Sequence, residues 1–304
     1  MTTKPILVTG SHRSGTTWTG RMLAEAPSTV YVHEPFNINR SLLTAKLLEN
    51  WFQHVCKENE SLYHEELRRI ICLMNPVGGA FAKAKSLRSI LRIQRDRCRS
   101  LYFRLRNYTP IVKDPIAVFS ASWLAEKFDM KVLVMIRHPA AFCSSLKIKD
   151  WRFDFSNFLN QPMLLKHYLN TFESDIREHV ANEKGWISQA ILLWNCIHHT
   201  LNIYQDKHPE WMFVKHEHLS FDPVPEFEKI YKFFGLEFTA RVESAILDSS
   251  GKHNPIEQQS GSEFVRNSKA NITNWKSRLS RSEIQRIKEG TRNISSLFYT
   301  DNDW

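Results

Sequence analysis

Pro5-Ile-Leu-Val-Thr-Gly-Ser-His-Arg-Ser-Gly-Thr-Thr-Trp18 is the stretch whose reading decides the fold. Ile6, Leu7 and Val8 form a short unbroken apolar run, the mark of a strand buried on both faces. A loop of small and polar residues, Gly10 to Gly15, comes next, and helix-compatible residues follow from Thr16 to Ala26. Strand, loop and helix in that order bring successive backbone N–H groups and a helix N-terminus to bear on one anion. Gly10 and Gly15 also fit the phosphate-loop spacing G-x-x-x-x-G. That pattern continues with Lys and then Ser or Thr, whereas this chain has Thr16 and Thr17. The absent Lys is the group that reaches the outer phosphates of a nucleoside triphosphate. A cation, Arg13, stands inside the loop instead, so the loop suits a phosphate but not the splitting of Mg-ATP.

Outward from this loop, apolar runs alternate with helical patterns. Val30 to Val32, Ile111-Val112, Lys131 to Ile136 and Trp211 to Val214 read as further strands. Helices are expected at Val118–Phe128, Ala140–Lys147, Trp186–Tyr204, Glu226–Phe234 and Glu243–Leu247, with a last one opening at a Ser280/Glu283 capping box. This alternation predicts an α/β fold: a central parallel sheet flanked by helices in three layers. With 304 residues, 42% of them hydrophobic, and no linker or internal repeat, the expected organisation is one domain over 1–304. Two segments depart from the alternation, a helical insert at about 41–107 and an aromatic stretch at about 148–185 placed on the acceptor side.

The net charge of +9 predicts an anionic partner. Nine cations between Lys83 and Arg106, against the single acid Asp96, make either a solvated helix face or an electrostatic guide. Five widely spaced cysteines without a C-x-x-C speak against a disulfide framework or a zinc site, and no metal is expected. No apolar run approaches membrane-spanning length, and the first strand begins almost at Met1. The expectation is a cytoplasmic protein with no transmembrane segment and no nucleic-acid partner.

Strand ends carry the candidate chemistry, because ligands of open α/β sheets bind at the carboxyl edge. Glu34 follows the second strand and Lys113-Asp114-Pro115 the third, while Arg137-His138-Pro139 follows the strand 131–136. A helix starting near Pro139 rises about 9 Å over six residues. Arg137 and Ser145 can then stand on one side of a phosphate, and the Arg fork suits that task. His33, next to Glu34, is expected on the opposite side of an extended chain.

With these motifs in order, the sequence resembles the 3′-phosphoadenylyl-sulfate (PAPS)-dependent sulfotransferases, in particular bacterial and carbohydrate members. Arg13-Ser-Gly-Thr-Thr-Trp18 is similar to their 5′-phosphosulfate loop, Arg137-His-Pro…Ser145 to their 3′-phosphate motif, and Phe213 to Phe238 to a late strand and helix. The resemblance implies the phosphate-loop nucleotide-hydrolase-like fold. It implies PAPS as sulfuryl donor, 3′,5′-ADP as product and no metal. Arg13, Ser14, Gly15, Thr16 and Thr17 would hold the 5′-phosphosulfate, with Trp18 near the adenine. Arg137 and Ser145 would hold the 3′-phosphate, joined by Arg266 or Lys269 from a C-terminal basic segment that lacks the family's glycines.

Glu34 is the leading general base by resemblance to a Glu-Pro motif in glycan and bacterial relatives, and Asp114 is the second candidate. Lys113 matches a Lys that stabilises the bridging oxygen. The implied acceptor is a small molecule or carbohydrate, a glycolipid included. Two rival functions remain at this point. A phosphate-loop kinase would need Lys at position 16, and the other rival is a non-catalytic anion- or glycan-binding protein on the same fold.

Overall fold

The structure, a computed structural model, describes residues 4–39, 47–74, 87–182, 184–256 and 264–304. Five strands, β1 (Ile6–Gly10), β2 (Thr29–His33), β3 (Thr109–Lys113), β4 (Lys131–Ile136) and β5 (Met212–Lys215), form one parallel sheet in the order β2-β3-β1-β4-β5. These are the five strands expected from the apolar runs, each shifted or extended by no more than a few residues. The helices are α1 (Thr16–Leu23), α2 (His64–Ile71), α3 (Leu87–Leu105), α4 (Ala121–Phe128), α5 (Pro139–Lys149), α6 (Glu173–Ala181), α7 (Trp186–Lys207), α8 (His216–Phe221), α9 (Pro223–Phe234), α10 (Ala240–Ser250) and α11 (Arg281–Ser295), with shorter turns between.

Side chains alternate across the strands, so each strand feeds two cores. Ile6, Val8, Ile111, Leu133, Met135 and Val214 pack with Met22 and Leu23 of α1, Phe227 and Tyr231 of α9, and Ile246 of α10. Leu7, Val112, Val132, Val134 and Ile136 pack on the other face with Leu124 of α4, Phe142 of α5, Trp194 of α7 and Ile287 of α11. Helix, sheet and helix make the three layers. Local chemistry sets the ends of the helices. His138 caps α5 with Pro139 in its first turn, Gly235 at φ 70° closes α9, and Ser280 with Glu283 forms the expected capping box of α11.

The chain leaves β1 toward the β3–β2 side, whereas it leaves β4 toward β5. Loops after β1 and β4 therefore diverge over a crevice, the place where such sheets bind ligands. Arg95, Arg99 and Arg104 of α3 and Arg106 just after it are exposed, as are the apolar Leu101, Tyr102 and Leu105. Lys83 and Lys85, and the side chains of Arg88, Arg92 and Arg97, lie outside what is described.

Gly10 lets the two central strands close up at the crevice. It sits opposite Met135 at φ 123°, and a Cβ there would stand 2.1 Å from the Met135 carbonyl oxygen. Gly235 also has positive φ but faces open space. Urea unfolding of Gly10→Ala should show a loss of more than about 2 kcal/mol, because backbone must move. Gly235→Ala should lose only the conformational term, about 1 kcal/mol.

Candidate active site

A cavity of about 830 Å³ opens over the carboxyl edge of the sheet. Its floor is the loop between β1 and α1. Gly15 is the N-cap of α1 at φ 87° and no side chain caps that helix, which leaves the first backbone N–H groups directed outward. Gly15 is also required by contact, since a Cβ there would meet His216 Nδ1 at 2.6 Å. Arg13, Gly15, Thr16, Thr17 and Trp18 line the cavity. Ser14 is buried beneath the loop and its hydroxyl donates to the Ser11 carbonyl, so its contribution to the loop surface is its backbone.

The two phosphate motifs meet here, in an arrangement that spacing alone did not show. Arg13, at φ 65°, donates from Nε to Ser145 Oγ at 3.0 Å, and Arg137 donates from a terminal nitrogen to the Arg13 carbonyl. Arg137 thus supports the loop from below while its Nε has no hydrogen-bond partner among the described residues. Burial, partly offset by Glu217 and reinforced by Arg13, Arg266 and Arg278, lowers the Arg137 pKa to about 10. Arginines gathered at the mouth of a partly buried cleft suit an anion.

Arg266 and Lys269, which the sequence left as alternatives, lie in different places. Arg266 lines the cavity, and its backbone N–H donates to the Ser249 carbonyl at 2.9 Å. The Lys269 ammonium sits 4.0 Å from the centre of the Phe221 ring and does not line the cavity. Trp18 lines the cavity and is also part of the core. Its ring packs edge-on against Phe227, and Nε1 donates to Ser249 Oγ at 2.9 Å. Ser249 therefore ties the loop helix to the C-terminal basic segment. Nothing in its sequence neighbourhood marks it.

On the far side of the crevice Glu34 lines the cavity at the end of β2. Its Oε1 pairs with Lys113 Nζ, and its Oε2 accepts from Asn37 Nδ2 at 2.6 Å. Burial acts to raise the Glu34 pKa, but the charge and hydrogen bond of Lys113, with Asn37 and His33, hold it below the ordinary value. Lys113 is fully buried and does not line the cavity; its stem passes over Gly20, where a Cβ would stand 2.9 Å away. His33 is not on the opposite side. Its Nε2 lies 3.8 Å from Glu34 Oε2, because Glu34 adopts φ 43° and breaks the strand alternation at this point.

Asp114 is buried and does not line the cavity. Its carboxylate accepts from the backbone N–H of Phe36 at 2.6 Å, Ile116 at 3.0 Å and Ala117 at 3.2 Å. Burial pushes its pKa up to about 7 against those donors. His216, Glu217 and His218 do not converge on a metal. Glu217 accepts from the His138 amide at 3.0 Å and from the Tyr299 hydroxyl at 3.1 Å, while His216 lies against the phosphate loop. The aromatic stretch divides. Trp151 and Phe153 line the cavity, and Phe155 and Phe158 are core. Arg152, Asp154 and Asn157 join the lining, a cavity wall that weak periodicity concealed.

The model of the sulfotransferase family matches residues 5–240. The chain belongs to the sulfotransferase family. It is an enzyme that transfers sulfuryl groups. Two solved structures are similar in fold. A sulfotransferase domain from the curacin biosynthetic pathway is 15% identical with a TM-score of 0.52, the match covering 98% of each chain. A sulfotransferase domain from the olefin synthase of Synechococcus PCC 7002 is 15% identical with a TM-score of 0.51, covering 98% of this chain and 96% of that one. No curated protein matches the sequence. Among the described residues of this sulfotransferase, no helix is long and apolar enough to cross a membrane.

Asp114 accepts from three backbone amides in the interior. Asp114→Ala should lower stability by about 2–4 kcal/mol in urea unfolding, since buried donors are left unpaired.

Proposed function

We propose that this sulfotransferase moves the sulfuryl group of PAPS to a hydroxyl of a carbohydrate or glycolipid acceptor, with Glu34 as general base and no metal required. One observation carries the reading. A cavity-lining carboxylate held ionised by a buried lysine faces a phosphate loop whose free helix N-terminus is backed by Arg13 and Arg137. That arrangement has separate places for a proton and for an anion. The donor fits the residues present, because the buried Arg137 keeps an Nε with no hydrogen-bond partner among the described residues, and Arg13 and Arg266 line the same cavity.

In this mechanism the backbone of Ser14 to Thr17 and the Arg13 guanidinium hold the 5′-phosphosulfate. Arg137, Ser145 and Arg266 take the 3′-phosphate, the group that separates PAPS from ATP, and Trp18 flanks the base. Glu34 accepts the acceptor's hydroxyl proton as the new O–S bond forms and the bond from sulfur to the phosphate oxygen breaks. Negative charge left on that oxygen falls beside Arg13 and the α1 N-terminus. Lys113 is a positioning residue, because its ammonium is committed to Glu34 below the cavity surface. Asp114 braces the strand end and takes no proton from substrate.

Support for a sugar acceptor comes from the wall beside the loop, where the Trp151 ring centre lies 5.4 Å from the Arg13 guanidinium. Trp151 is 51% exposed there, with Asn37, Asn39, Asp154 and Asn157 around the same cavity. An aromatic face framed by amides and a carboxylate suits a hydroxyl-rich ring. Free cysteines at positions 56, 72, 98, 143 and 196 fit work in the reducing cytoplasm. The stretch at about 148–185 belongs, on this reading, to the acceptor side of a single domain over 1–304 that also carries the helical insert at about 41–107.

Calorimetry tests the nucleotide assignment. The enzyme should bind 3′,5′-ADP more tightly than ADP or Mg-ATP, and Arg137→Met should erase that preference. Tighter binding of ADP would sink the donor assignment. Glu34→Gln should lower kcat with labelled PAPS about 10²–10⁴-fold at unchanged 3′,5′-ADP affinity.

The pH profile follows from the lowered Glu34 pKa. Glu34 is ionised at neutral pH, so the acid limb of kcat/KM should fall below the ordinary carboxylate value of about 4.3. The same pair stabilises the fold above that value and loses its contribution as pH falls through the lowered pKa. In Lys113→Met burial acts unopposed by the lysine, and the acid limb should move above about 4.3. An acid limb at the same pH in both enzymes would remove Glu34 as the base.

A further inference from the structure

The geometry points to a binding site for a zinc-like divalent ion formed by His54, Cys56 and His167, outside the sulfuryl-transfer site. Their potential ligand atoms, two imidazole nitrogens and the thiol sulfur, all lie within 4.8 Å of one another. Zn–N distances of about 2.0–2.1 Å and Zn–S of about 2.3 Å place tetrahedral ligand atoms roughly 3.5 Å apart. Closing the group onto an ion therefore needs side-chain shifts on the order of 1 Å.

The site is built rather than incidental. His54 Nδ1 lies 2.7 Å from the Phe119 carbonyl oxygen, which can only accept, so Nδ1 carries the proton and Nε2 presents its lone pair. A backbone carbonyl on one imidazole nitrogen is the usual orienting partner of a metal-bound histidine. Nε2 faces His167 Nδ1 at 3.1 Å. The backbone that carries His54 and Cys56 is fixed on both sides by amide side chains. His54 N–H donates to Gln161 Oε1 at 2.7 Å, Cys56 N–H to Asn59 Oδ1 at 2.9 Å, and Asn59 Nδ2 to the His54 carbonyl at 3.0 Å.

His167 comes from a π-helical turn, Leu165–Leu169. Such turns are rare and occur disproportionately at functional sites, because the wider loop re-aims one side chain. Here the side chain is the third ligand. Three protein ligands leave the fourth position to solvent. Thiolate and two imidazoles form a borderline-soft set suited to zinc and its congeners, not to magnesium or calcium. Binding converts the Cys56 thiol to thiolate, with its proton released to solvent. His54 lies two residues from Phe52, which lines the cavity, so an ion here would brace the acceptor wall. No short motif announces this site, as His54-Val-Cys56 is completed only by a residue more than a hundred positions away.

The full chain, stripped with a chelator and titrated with Co²⁺, should develop a thiolate-to-cobalt charge-transfer band and the visible bands of four-coordinate cobalt. Zn²⁺ should displace them and raise the melting temperature. Cys56→Ser should lose the charge-transfer band. Because Cys56 is buried, His167→Gln is the second variant. It should weaken Co²⁺ binding about 10–100-fold while leaving circular dichroism and 3′,5′-ADP affinity unchanged. Absence of the bands in the unmodified chain, their persistence in Cys56→Ser, or full Co²⁺ affinity in His167→Gln would each overturn the proposal, leaving a plain imidazole–imidazole hydrogen bond beside a thiol.

Discussion

A fully buried lysine needs a partner, and in this enzyme that need organises one half of the site. Lys113 ends β3 with its ammonium out of water, and it pairs with the Glu34 carboxylate at the end of the neighbouring β2. Breaking a buried pair by removing one partner costs about 3–5 kcal/mol, so the two strand ends are coupled. Several features read as consequences. Gly20 is bare where the lysine stem crosses α1, and Glu34 accepts a left-handed backbone to reach the ammonium. Asn37 folds back onto the second carboxylate oxygen. What this arrangement presents to the cavity is a carboxylate that is ionised, oriented and unable to swing away.

The other half is organised around cations. Arg13, Arg137 and Arg266 line the cavity at the loop, and burial lowers the Arg137 pKa to about 10. The Ser145 hydroxyl accepts from Arg13, and the Arg13 carbonyl accepts from Arg137. An anion bound here would replace hydrogen bonds the protein makes with itself, and it would free Ser145 to turn toward a phosphate.

Much of this was legible in the sequence because it is written in local terms. Five apolar runs gave five parallel strands, and Gly10, Gly15, Pro139 and the Ser280/Glu283 pair marked turns and caps whose chemistry depends on a few adjacent residues. Glu34, Lys113 and Arg137 could be placed because strand ends are visible in a sequence and ligands gather there. What escaped depends on separation along the chain or on a single backbone angle. Alternation put His33 away from Glu34 until the φ of Glu34 reversed it. Arg266 and Lys269 are near neighbours of like charge, and only the path of the chain past Ser249 and Phe221 separates them. Ser249 carries no motif and acts by contact with Trp18 at the start of α1.

The residue at position 16 bears on both halves. A phosphate-loop enzyme that splits nucleoside triphosphates places a lysine there, at the start of α1, and relies on a metal to share the charge of the outer phosphates. Thr16 removes that lysine, and the cations that remain are distributed differently. Arg13 stands at the tip of the loop, Arg137 stands beneath it, and Lys113 is turned aside to Glu34. A sulfuryl group in transfer carries less charge than a phosphoryl group, so less positive charge is needed at the reacting centre. The lysine that a triphosphatase would direct at the transferred group is absent here, and Lys113 is paired with Glu34 below the cavity surface.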